Sequence, residues 1–272
     1  MPVLLLWSDG HGVHDRRDRD RYRSGVITPP FDRAKLESLG LDPDAIPEHL
    51  AVVMDGNGRW AEERGLRRTE GHIRGEDALF ECIEGALELG IRWVTVYAFS
   101  TENWRRPKEE VKFIVNFNRD TLRKRRDELH ERNVRIRSIG RRNWRMPRGL
   151  LRVIDDSVEL TRDNTRMTFT IAFNYGGRAE LVDAVRALVD EGVPSAKIDE
   201  KAIARHLYAP DMPDPDLVIR TSGENRVSNF LLWQVAYSEF LFLDSLWPDF
   251  DRESVYEAVR EYQHRARRFG GV

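Results

Sequence analysis

The chain has 272 residues, of which 40% are hydrophobic and 33% charged, so it can bury a sizeable core and still cover it with charge. This composition excludes a disordered polymer and a fibre. The 44 Lys and Arg residues nearly balance the 46 Asp and Glu residues, for a formal net charge of −2. No overall positive excess drives non-specific binding of nucleic acid, so any anion site must be local.

A single cysteine, Cys82, cannot form an intramolecular disulfide or a multi-cysteine zinc site, which indicates a reducing compartment. The apolar run at residues 3–7 is far too short to span a bilayer and is followed at once by polar residues. We therefore expect a cytoplasmic protein without a transmembrane helix or signal peptide. Such a protein would act on a lipid from the water side.

Residues 1–46 differ from the rest of the chain. Residues 15–23 alternate basic and acidic side chains without an apolar face, and Pro29 and Pro30 then break any regular element. The interleaved aspartates cancel most of the positive field, which favours a solvated tail over an arm that touches acidic lipid or nucleic acid. We predict a poorly ordered arm over residues 1–46 and one folded domain over residues 47–272.

From residue 47 onward, short apolar runs alternate with longer amphipathic stretches, as in βα units. Strands rich in Val, Ile, Tyr and Phe are predicted at 49–54, 93–99, 134–139, 167–173, 217–220 and 240–243. Helices are predicted at 71–89, 109–132, 147–162, 178–190, 199–206 and 252–268. Because parallel strands need crossover helices, the pattern predicts an α/β fold: a single domain with a central, mostly parallel six-stranded sheet flanked by helices.

The polar motifs fall just after predicted strands, where strand ends and helix N-termini form a ligand crevice. The first strand leads into the segment Asp55-Gly56-Asn57-Gly58-Arg59. Its glycines allow a tight turn and a close approach of the backbone to a ligand. Asp55 offers a carboxylate for Mg²⁺, and Arg59 offers a guanidinium group that can donate two hydrogen bonds to a phosphate. Taken alone, the segment is equally compatible with a plain turn.

A basic stretch and a mixed loop come next along the chain. The basic stretch leads into a helix and contains Arg67, Arg68, Gly71, His72 and Arg74. Cations at a helix N-terminus form an anion cradle, although a solvated basic patch is the alternative. The loop after the second strand, at residues 97–107, places polar, aromatic and basic side chains together. Within that loop Phe99 and Trp104, each taken alone, favour core positions.

A fourth cluster follows the fifth predicted strand. Residues 220–229 combine two arginines, three hydroxyls and a glycine, a composition suited to a second diphosphate. Glu239 precedes the last strand, and the chain ends in Arg265, Arg267 and Arg268, which a single chain would leave as a basic tail. The chain is nearly neutral overall, yet it has separate basic clusters and acidic residues that are candidates for binding a metal ion. This combination indicates two phosphorylated ligands held together.

These motifs resemble the cis-prenyltransferases, also called undecaprenyl diphosphate synthase-like or poly-cis-polyprenyl diphosphate synthases. The likeness covers Pro47 to Gly271 in the family's order: HLAVVMDGNGRW, RTEGH, YAFSTENWRRP, FNYGGRAE, LVIRTSGENRVSNFLLWQVAYSEFLF, LWPDF and RRFGG. The sequences of these motifs are most similar to those of the actinobacterial enzymes. Asn225 stands where relatives usually have Gln or His, and residues 1–46 lie outside the likeness.

The resemblance implies a Mg²⁺-dependent enzyme that condenses isopentenyl diphosphate repeatedly onto an allylic diphosphate such as farnesyl diphosphate. Each addition forms a cis double bond, and the product is a long-chain polyprenyl diphosphate, precursor of the cell-wall lipid carrier. The resemblance also implies a homodimer whose basic C-terminus reaches the neighbouring subunit. The product lipid would be handed to the membrane, with the enzyme cytoplasmic or peripheral at the inner face; no nucleic-acid partner is expected.

The motif match also implies roles for individual residues. Asp55 and Asn103 would be catalytic, Asn103 by assisting proton removal, and Asp55 and Glu239 would bind the metal. The allylic diphosphate would be bound by Gly56, Asn57, Gly58, Arg59, Trp60, Arg68, His72, Ser100, Glu102, Trp104 and Arg106. Isopentenyl diphosphate would be bound by Arg220, Arg226, Ser228, Arg265 and Arg267. The growing chain needs a long apolar cleft, with Val111, Phe113, Ile114, Val115 and Phe117 as its predicted wall.

Several alternatives compete with this interpretation. The pair Asp155-Asp156 distantly resembles the metal motif of all-helical trans-prenyl synthases, but that fold lacks the predicted strands. A non-catalytic subunit of a prenyltransferase complex should lack the diphosphate ligands, which this chain keeps. RNA binding through the basic run at 123–126 has no stacking-aromatic motif to support it. An enzyme of the same fold that makes a short or branched prenyl diphosphate stays open, because the motifs barely distinguish it.

Overall fold

A computed structural model describes residues 32–265, which belong to one compact unit. Its sheet contains β1 (His49–Val53), β2 (Trp93–Ser100), β3 (Val134–Ile139), β4 (Met167–Tyr175), β5 (Leu217–Arg220) and β6 (Glu239–Phe242). The strand order is β3-β4-β2-β1-β5-β6, and all five pairings are parallel. The predicted α/β domain with a six-stranded sheet is confirmed, and this sheet is parallel throughout.

The helices are α1 (Arg33–Ser38), α2 (Asn57–Glu63), α3 (Arg68–Glu88), α4 (Lys108–Glu131), α5 (Arg148–Leu160), α6 (Gly177–Asp190), α7 (Glu200–Ala204) and α8 (Arg252–His264). Single 3₁₀ turns occur at Asn103–Arg105, Ser195–Lys197 and Trp247–Asp249. Each predicted helix is present within residues 32–265 with slightly shifted ends, and positions 266–268 of the last predicted helix lie outside the described residues. Helices α1 and α2 were not predicted. Among residues 32–265, no helix is long and apolar enough to cross a membrane.

The sheet is covered on both faces, as a parallel sheet requires. Every residue of the central strand β1 is buried. Because successive side chains alternate between the two faces, Leu50 and Val52 join the larger core cluster, while Ala51 and Val53 join the smaller one. The continuous apolar run that marked β1 in the sequence is therefore that of a strand buried on both sides.

The predicted boundary of the N-terminal arm at residue 46 is wrong. Asp32 caps α1 by accepting hydrogen bonds from the amides of Ala34 and Lys35, at 3.0 and 3.3 Å. Leu36 and Leu41 are only 1% and 3% exposed in the larger core cluster. This short leucine-bearing segment therefore belongs to the folded domain, and residues 1–31 of the predicted arm lie outside the described residues.

The topology creates a crevice between β1 and β5. The chain leaves β1 for β2 on one side, while β5 lies on its other side, so the strand order reverses at the β1–β5 boundary. In parallel α/β sheets, ligands bind beyond the carboxyl ends of the strands at such a reversal. Val53 pairs with Arg220 in this register, which places the segments that follow β1 and β5 side by side.

Glycines allow α2 and α3 to approach each other closely. A Cβ atom at Gly71 would lie 1.9 Å from the backbone oxygen of Asn57, and one at Gly75 would lie 2.4 Å from the Oδ1 atom of Asn57. A Cβ atom at Gly58 would meet the Arg68 guanidinium at 2.5 Å. At Gly71 only hydrogen fits, because the neighbouring atom belongs to the backbone, whereas at Gly58 and Gly75 the neighbouring side chains would have to move. The glycines thus bring the start of α3 against the start of α2.

We predict that Gly71→Ala destabilises the protein by about 1–3 kcal/mol or more, because the new methyl group overlaps backbone rather than a movable side chain. The matched control is Gly149→Ala in α5, where a Cβ atom meets nothing within 4 Å. That control should be neutral or stabilising by up to about 1 kcal/mol. Urea unfolding of both variants tests the prediction, and equal midpoints would contradict it.

Candidate active site

The centre of the crevice is an ion pair between the segments that follow β1 and end β5. The Nη2 atom of Arg220 donates to Oδ2 of Asp55 at 2.8 Å. The Arg220 side chain is only 4% exposed, whereas that of Asp55 is 35% exposed and faces the crevice. The backbone amide of Gly56 donates to the other carboxylate oxygen at 2.8 Å. Asp55 is therefore held in one orientation with part of its carboxylate accessible.

Thr221 holds the backbone of Asp55 in place. Its hydroxyl accepts from the Asp55 amide at 3.0 Å and donates to the Asp55 carbonyl at 2.6 Å. The amide of Trp247 also donates to that carbonyl, at 3.0 Å. These bonds anchor the turn after β1 to β5 and to the 3₁₀ turn at Trp247–Asp249.

The environment of Asp55 stabilises its charged form. Burial alone would raise the pKa of this carboxyl, but the hydrogen bond and the positive charge of Arg220 outweigh burial and hold the pKa below its ordinary value. The carboxylate is therefore ionised at neutral pH. An ionised, partly exposed carboxylate is a suitable ligand for Mg²⁺, which is usually held by one or two carboxylates together with substrate phosphates.

The loop after β5 has an unusual backbone. Ser222, Ser228, Asn229 and Leu231 all have positive φ, at 84°, 48°, 66° and 45°. Left-handed residues that are not glycine are uncommon and cluster at ligand sites, where they turn successive amides toward an anion. The Nη1 atom of Arg220 donates to the hydroxyl of Ser228 at 2.6 Å and to the carbonyl of Arg226. Arg220 thus holds this loop as well as Asp55.

Basic side chains surround the crevice on its other side. Arg59 donates to the carbonyl of Ser222 at 3.0 Å and lies 4.0 Å from the Asp55 carboxylate. Arg68 and Arg106 share Glu110, at 3.8 and 2.9 Å. Glu110 is only 15% exposed, so it keeps two cations close together that would otherwise repel each other. No role was predicted for Glu110 from the sequence.

Several buried polar atoms at the crevice have no hydrogen-bond partner within the described residues. They are Oδ1 of Asn57, Nε2 of His72, Nε of Arg220 and Oγ of Ser222. Buried polar groups are normally paired, so a cluster of unpaired ones indicates where a polar ligand binds. Burial, together with the charges of Arg106 and Arg68, lowers the pKa of His72 to about 4. The His72 ring is therefore neutral at pH 7 and can donate one N–H hydrogen bond.

Ser100 and Asn103 form a small closed motif after β2. The Ser100 amide donates to Oδ1 of Asn103 at 2.9 Å, and the Asn103 amide donates to Oγ of Ser100 at 3.2 Å. Asn103 also lines the cavity that contains Asp55. Its side chain is thereby oriented in front of the crevice.

The cavity runs from the crevice into an apolar section between the sheet and helices α3 and α4. It has a volume of about 200 Å³. The apolar section is lined by Met54, Leu79, Ala98, Phe99, Ile114 and Phe117. Of the wall predicted on α4, only Ile114 and Phe117 line this cavity. Val111 and Val115 line a second cavity of about 350 Å³, and Phe113 lies 6.3 Å from the His72 ring.

The far end of the cavity is polar. Glu76, only 11% exposed, accepts from the Thr121 hydroxyl at 3.0 Å and from Nε of Arg125 at 3.1 Å. Glu76 and Thr121 both line the cavity, as does Asn118. A hydrocarbon chain that extends from the crevice therefore meets an ion pair after the apolar section.

Four residues assigned to the allylic diphosphate do not line the cavity with Asp55: Ser100, which pairs with Asn103, and three others whose side chains bind elsewhere. The indole of Trp60 donates to Asp249 at 2.7 Å and braces α2. Glu102 accepts from Asn229 at 3.0 Å and joins two loops. Trp104 donates to Asn174 at 2.7 Å and packs edge-on against Phe99. The motif match gave their positions in the sequence but not the directions of their side chains.

Glu239 and Asp55, both predicted to bind the metal, do not lie together within a single chain. Glu239 begins β6 and pairs with Leu217, at the amino edge of the sheet. Asp55 lies at the carboxyl edge. Within residues 32–265, no group of three or more His, Cys, Asp or Glu residues could hold a metal ion.

The other residues predicted to bind isopentenyl diphosphate lie in different places relative to Asp55. Ser228 lies beside Arg220, as expected. The Arg226 guanidinium turns outward to Glu224 and is 61% exposed. Arg265 donates to the Phe240 carbonyl at 2.7 Å and to Glu239 at 3.4 Å, away from Asp55. Arg267 lies outside the described residues.

A parallel α/β fold with a carboxylate, several arginines and unpaired polar atoms in front of an apolar cavity is typical of an enzyme whose ligand has a diphosphate head and a hydrocarbon tail. The family described as "Putative undecaprenyl diphosphate synthase" matches residues 53–270. The chain belongs to this family and is a prenyl-transferring enzyme.

Curated relatives and solved structures agree with the family match. A Thermobifida fusca protein named trans,polycis-polyprenyl diphosphate synthase ((2Z,6E)-farnesyl diphosphate specific) is 53% identical over 236 residues, or 85% of this chain and 83% of the relative. Decaprenyl diphosphate synthase of Mycolicibacterium smegmatis is 51% identical, over 89% of this chain and 84% of the relative. Lavandulyl diphosphate synthase from Lavandula x intermedia, crystallised with dimethylallyl diphosphate, has a TM-score of 0.80 at 36% identity, over 84% of this chain and 100% of that chain. The resemblance to actinobacterial cis-prenyltransferases is confirmed.

We predict that Asp55→Asn lowers the turnover number at least 100-fold while the protein stays folded, because the amide can still accept from Arg220 but carries no charge. Asp55→Ala should also lower stability, by about 1–3 kcal/mol, because it leaves the buried Arg220 guanidinium unpaired. Product formation and thermal melting of both variants separate the two effects. Near-normal turnover in Asp55→Asn would remove the carboxylate charge from the mechanism.

The low pKa of His72 gives a pH prediction. Burial also lowers the pKa of His49 to about 4. Both rings stay neutral in the folded state but take up a proton near pH 6.5 when the chain is unfolded. The stability that the two neutral rings allow is therefore complete above pH 6.5 and is lost as the pH falls toward 4.

We expect His72→Gln to reduce the slope of stability against pH in this window, by up to about 1.4 kcal/mol per pH unit. Urea midpoints at pH 7, 6 and 5 measure the slope. The residual slope should reflect His49, and identical slopes for the two proteins would contradict the neutral, buried state of His72.

Proposed function

We propose that the protein is a Mg²⁺-dependent cis-prenyltransferase that condenses isopentenyl diphosphate repeatedly onto an allylic diphosphate such as farnesyl diphosphate. The observation that carries the proposal is the crevice at β1 and β5, where unpaired buried polar atoms open directly into an apolar cavity. The unpaired polar atoms match the polar head of a prenyl diphosphate, and the apolar cavity matches its hydrocarbon tail. The names of the relatives from Thermobifida fusca and Mycolicibacterium smegmatis support a long-chain product.

The chemistry needs stabilisation of a leaving group rather than a nucleophilic side chain. When the allylic C–O bond breaks, its electron pair goes to the diphosphate, and the new C–C bond joins the allylic carbon to isopentenyl diphosphate with loss of one proton. Arg59, Arg68 and the N-terminal amides of α2 face the position where this negative charge increases. Such groups stabilise the transition state more than the ground state, which is the requirement for a higher rate.

Each residue at the crevice has a distinct task in this proposal. Asp55 would hold Mg²⁺, which supplies positive charge to the leaving diphosphate. His72 would donate its neutral N–H to a diphosphate oxygen, and Asn103 would orient the group that loses the proton. Arg220 and Ser228 would bind the diphosphate of isopentenyl diphosphate, since they lie beside Asp55 on the adjacent strand end.

A second candidate, a short-chain or branched product, is favoured by the dimensions of the cavity. Its volume of about 200 Å³ is below the range of about 300–1,000 Å³ that is typical for drug-sized ligands, and its lining includes Glu76, which is paired with Arg125. Lavandulyl diphosphate synthase shows that the fold also accommodates a protein named for a different prenyl product. A long product would require the cavity to extend past this pair.

The test is to incubate the purified protein with Mg²⁺, labelled isopentenyl diphosphate and allylic starters of different lengths, and to determine the sizes of the products. Products of many isoprene units support the long-chain proposal. Products that stop after one or two additions support the second candidate. No incorporation of label under any condition would contradict both.

We further propose a cytoplasmic homodimer in which Glu239 and the C-terminal segment of one chain complete the crevice of the other. Within one chain, Glu239 and Arg265 contact each other at the amino edge of the sheet, far from Asp55. They would therefore reach a diphosphate only in a neighbouring subunit. This arrangement gives Glu239, Arg265 and Arg267 the roles that the family resemblance implied.

Mixing two inactive variants tests the shared site. Asp55→Asn should be inactive because its crevice lacks the charge. A chain that ends at His264 should be inactive although folded, because it keeps the whole of α8 and loses an ion pair, between Arg265 and Glu239, that is only partly buried. In a mixed dimer, one crevice has an intact Asp55 and receives an intact C-terminus, so mixing should restore part of the activity. Subunit exchange is checked with differently tagged chains; exchange without recovered activity would contradict the shared site.

The polyprenyl product would finally pass to a membrane, because its hydrocarbon chain is insoluble in water. A peripheral position at the inner face of the membrane fits this need and requires no spanning helix.

A further inference from the structure

The loop between β3 and α5 presents a tryptophan to solvent. Trp144 is 87% exposed, more than any other large hydrophobic residue of the described chain. Its position is defined by neighbours on both sides: Asn143 caps the turn by accepting from the Arg145 amide at 3.1 Å, and Met146 is buried in the larger core cluster. The indole is therefore held outward by a structured turn.

One cation lies against this tryptophan, and three others lie on adjoining segments. The guanidinium of Arg145 lies 5.4 Å from the centre of the Trp144 ring. Arg148 begins α5 and is exposed, and Lys108 and Lys112 of α4 line the 350 Å³ cavity together with Pro147. None of the four cations forms an ion pair with another residue in the described range. We call Trp144, Arg145, Arg148, Lys108 and Lys112 the Trp144 surface.

The Trp144 surface lies on the same edge of the molecule as the active site. In a parallel sheet the loops after β2 and β3 leave from the carboxyl edge, which also carries Asp55. Asn174 ties these loops together: it accepts from the Trp104 indole at 2.7 Å and donates to the Arg141 carbonyl at 2.6 Å. A contact made by Trp144 would therefore occur at the same edge of the sheet as the crevice.

We propose that the Trp144 surface docks the enzyme on an anionic lipid bilayer. The proposal rests on the proposed function, because a polyprenyl product needs a bilayer to receive it. Tryptophan prefers the boundary between hydrocarbon and water, and each nearby Lys or Arg adds about 1 kcal/mol of attraction to an anionic surface. A nucleic acid is disfavoured, since a single tryptophan offers no row of aromatic rings for successive bases.

The test measures sedimentation of the full-length protein with vesicles of phosphatidylcholine alone or mixed with phosphatidylglycerol. Wild type should partition to the anionic vesicles, less so at high salt. Arg145→Ala/Arg148→Ala should weaken this partitioning roughly 30-fold, from two contributions of about 1 kcal/mol. Trp144→Ala should weaken it roughly tenfold.

Two control variants share the chemistry but not the location. Tyr237→Ala removes an aromatic side chain that is 81% exposed elsewhere, and Lys201→Ala/Arg205→Ala removes two exposed cations of the α7 region. Both should partition as wild type does. The proposal is overturned if wild type does not prefer anionic vesicles, if the Trp144 and Arg145/Arg148 variants partition like wild type, or if the controls lose binding equally. Binding to RNA or protein in place of vesicles would also overturn it.

Activity with short, water-soluble substrates and no vesicles separates this proposal from the proposed function. Trp144→Ala and Arg145→Ala/Arg148→Ala should keep wild-type rates there, because none of these residues lines the cavity with Asp55. If the wild-type protein binds vesicles but never incorporates label, the proposed function is contradicted, whereas the proposal that the Trp144 surface docks on a bilayer still holds. Variants that are inactive in solution would show damage to the catalytic site and overturn a role limited to docking.

Discussion

The ion pair between Asp55 and Arg220 is the contact on which the rest of the site depends. It joins the ends of two neighbouring parallel strands at the point where the strand order reverses. Through its second nitrogen, Arg220 also holds Ser228 and the left-handed loop. One nearly buried guanidinium therefore positions the metal-binding candidate and the left-handed loop after β5 together. Removing it would release both, so its loss would not separate the binding of the two substrates.

A second constraint is the absence of side chains where α2 and α3 meet. Gly58, Gly71 and Gly75 allow the Arg68 guanidinium and the backbone and side chain of Asn57 to occupy space that a Cβ atom would fill. The consequence is a crevice with two helix N-termini on one side and a basic loop on the other. Glu110 then keeps Arg68 and Arg106 close together without a ligand, which is a preorganised arrangement of charge.

The structure corrects the sequence-based predictions where the direction of a side chain matters. Trp60, Glu102 and Trp104 belong to the right motifs, yet their side chains bind Asp249, Asn229 and Asn174. A motif establishes that a residue is near the site, but its rotamer is selected by packing against elements far away in the sequence. Glu110 was missed for the opposite reason, because on α4 it looks like any exposed helix carboxylate until α3 brings Arg68 beside it.

The sequence by itself determined the order of strands and helices, the parallel α/β class and the family, because apolar periodicity and the motifs are local patterns. It also identified Asp55, His72, Arg220 and Ser228, which follow or precede regular elements at recognisable spacings. Only the tertiary structure decided that Glu239 lies at the opposite edge from Asp55, that α1 joins the core and that Glu76, paired with Arg125, lines the cavity. Those facts depend on strand register and helix packing, which bring together residues whose separation in the sequence carries no signal of their contact.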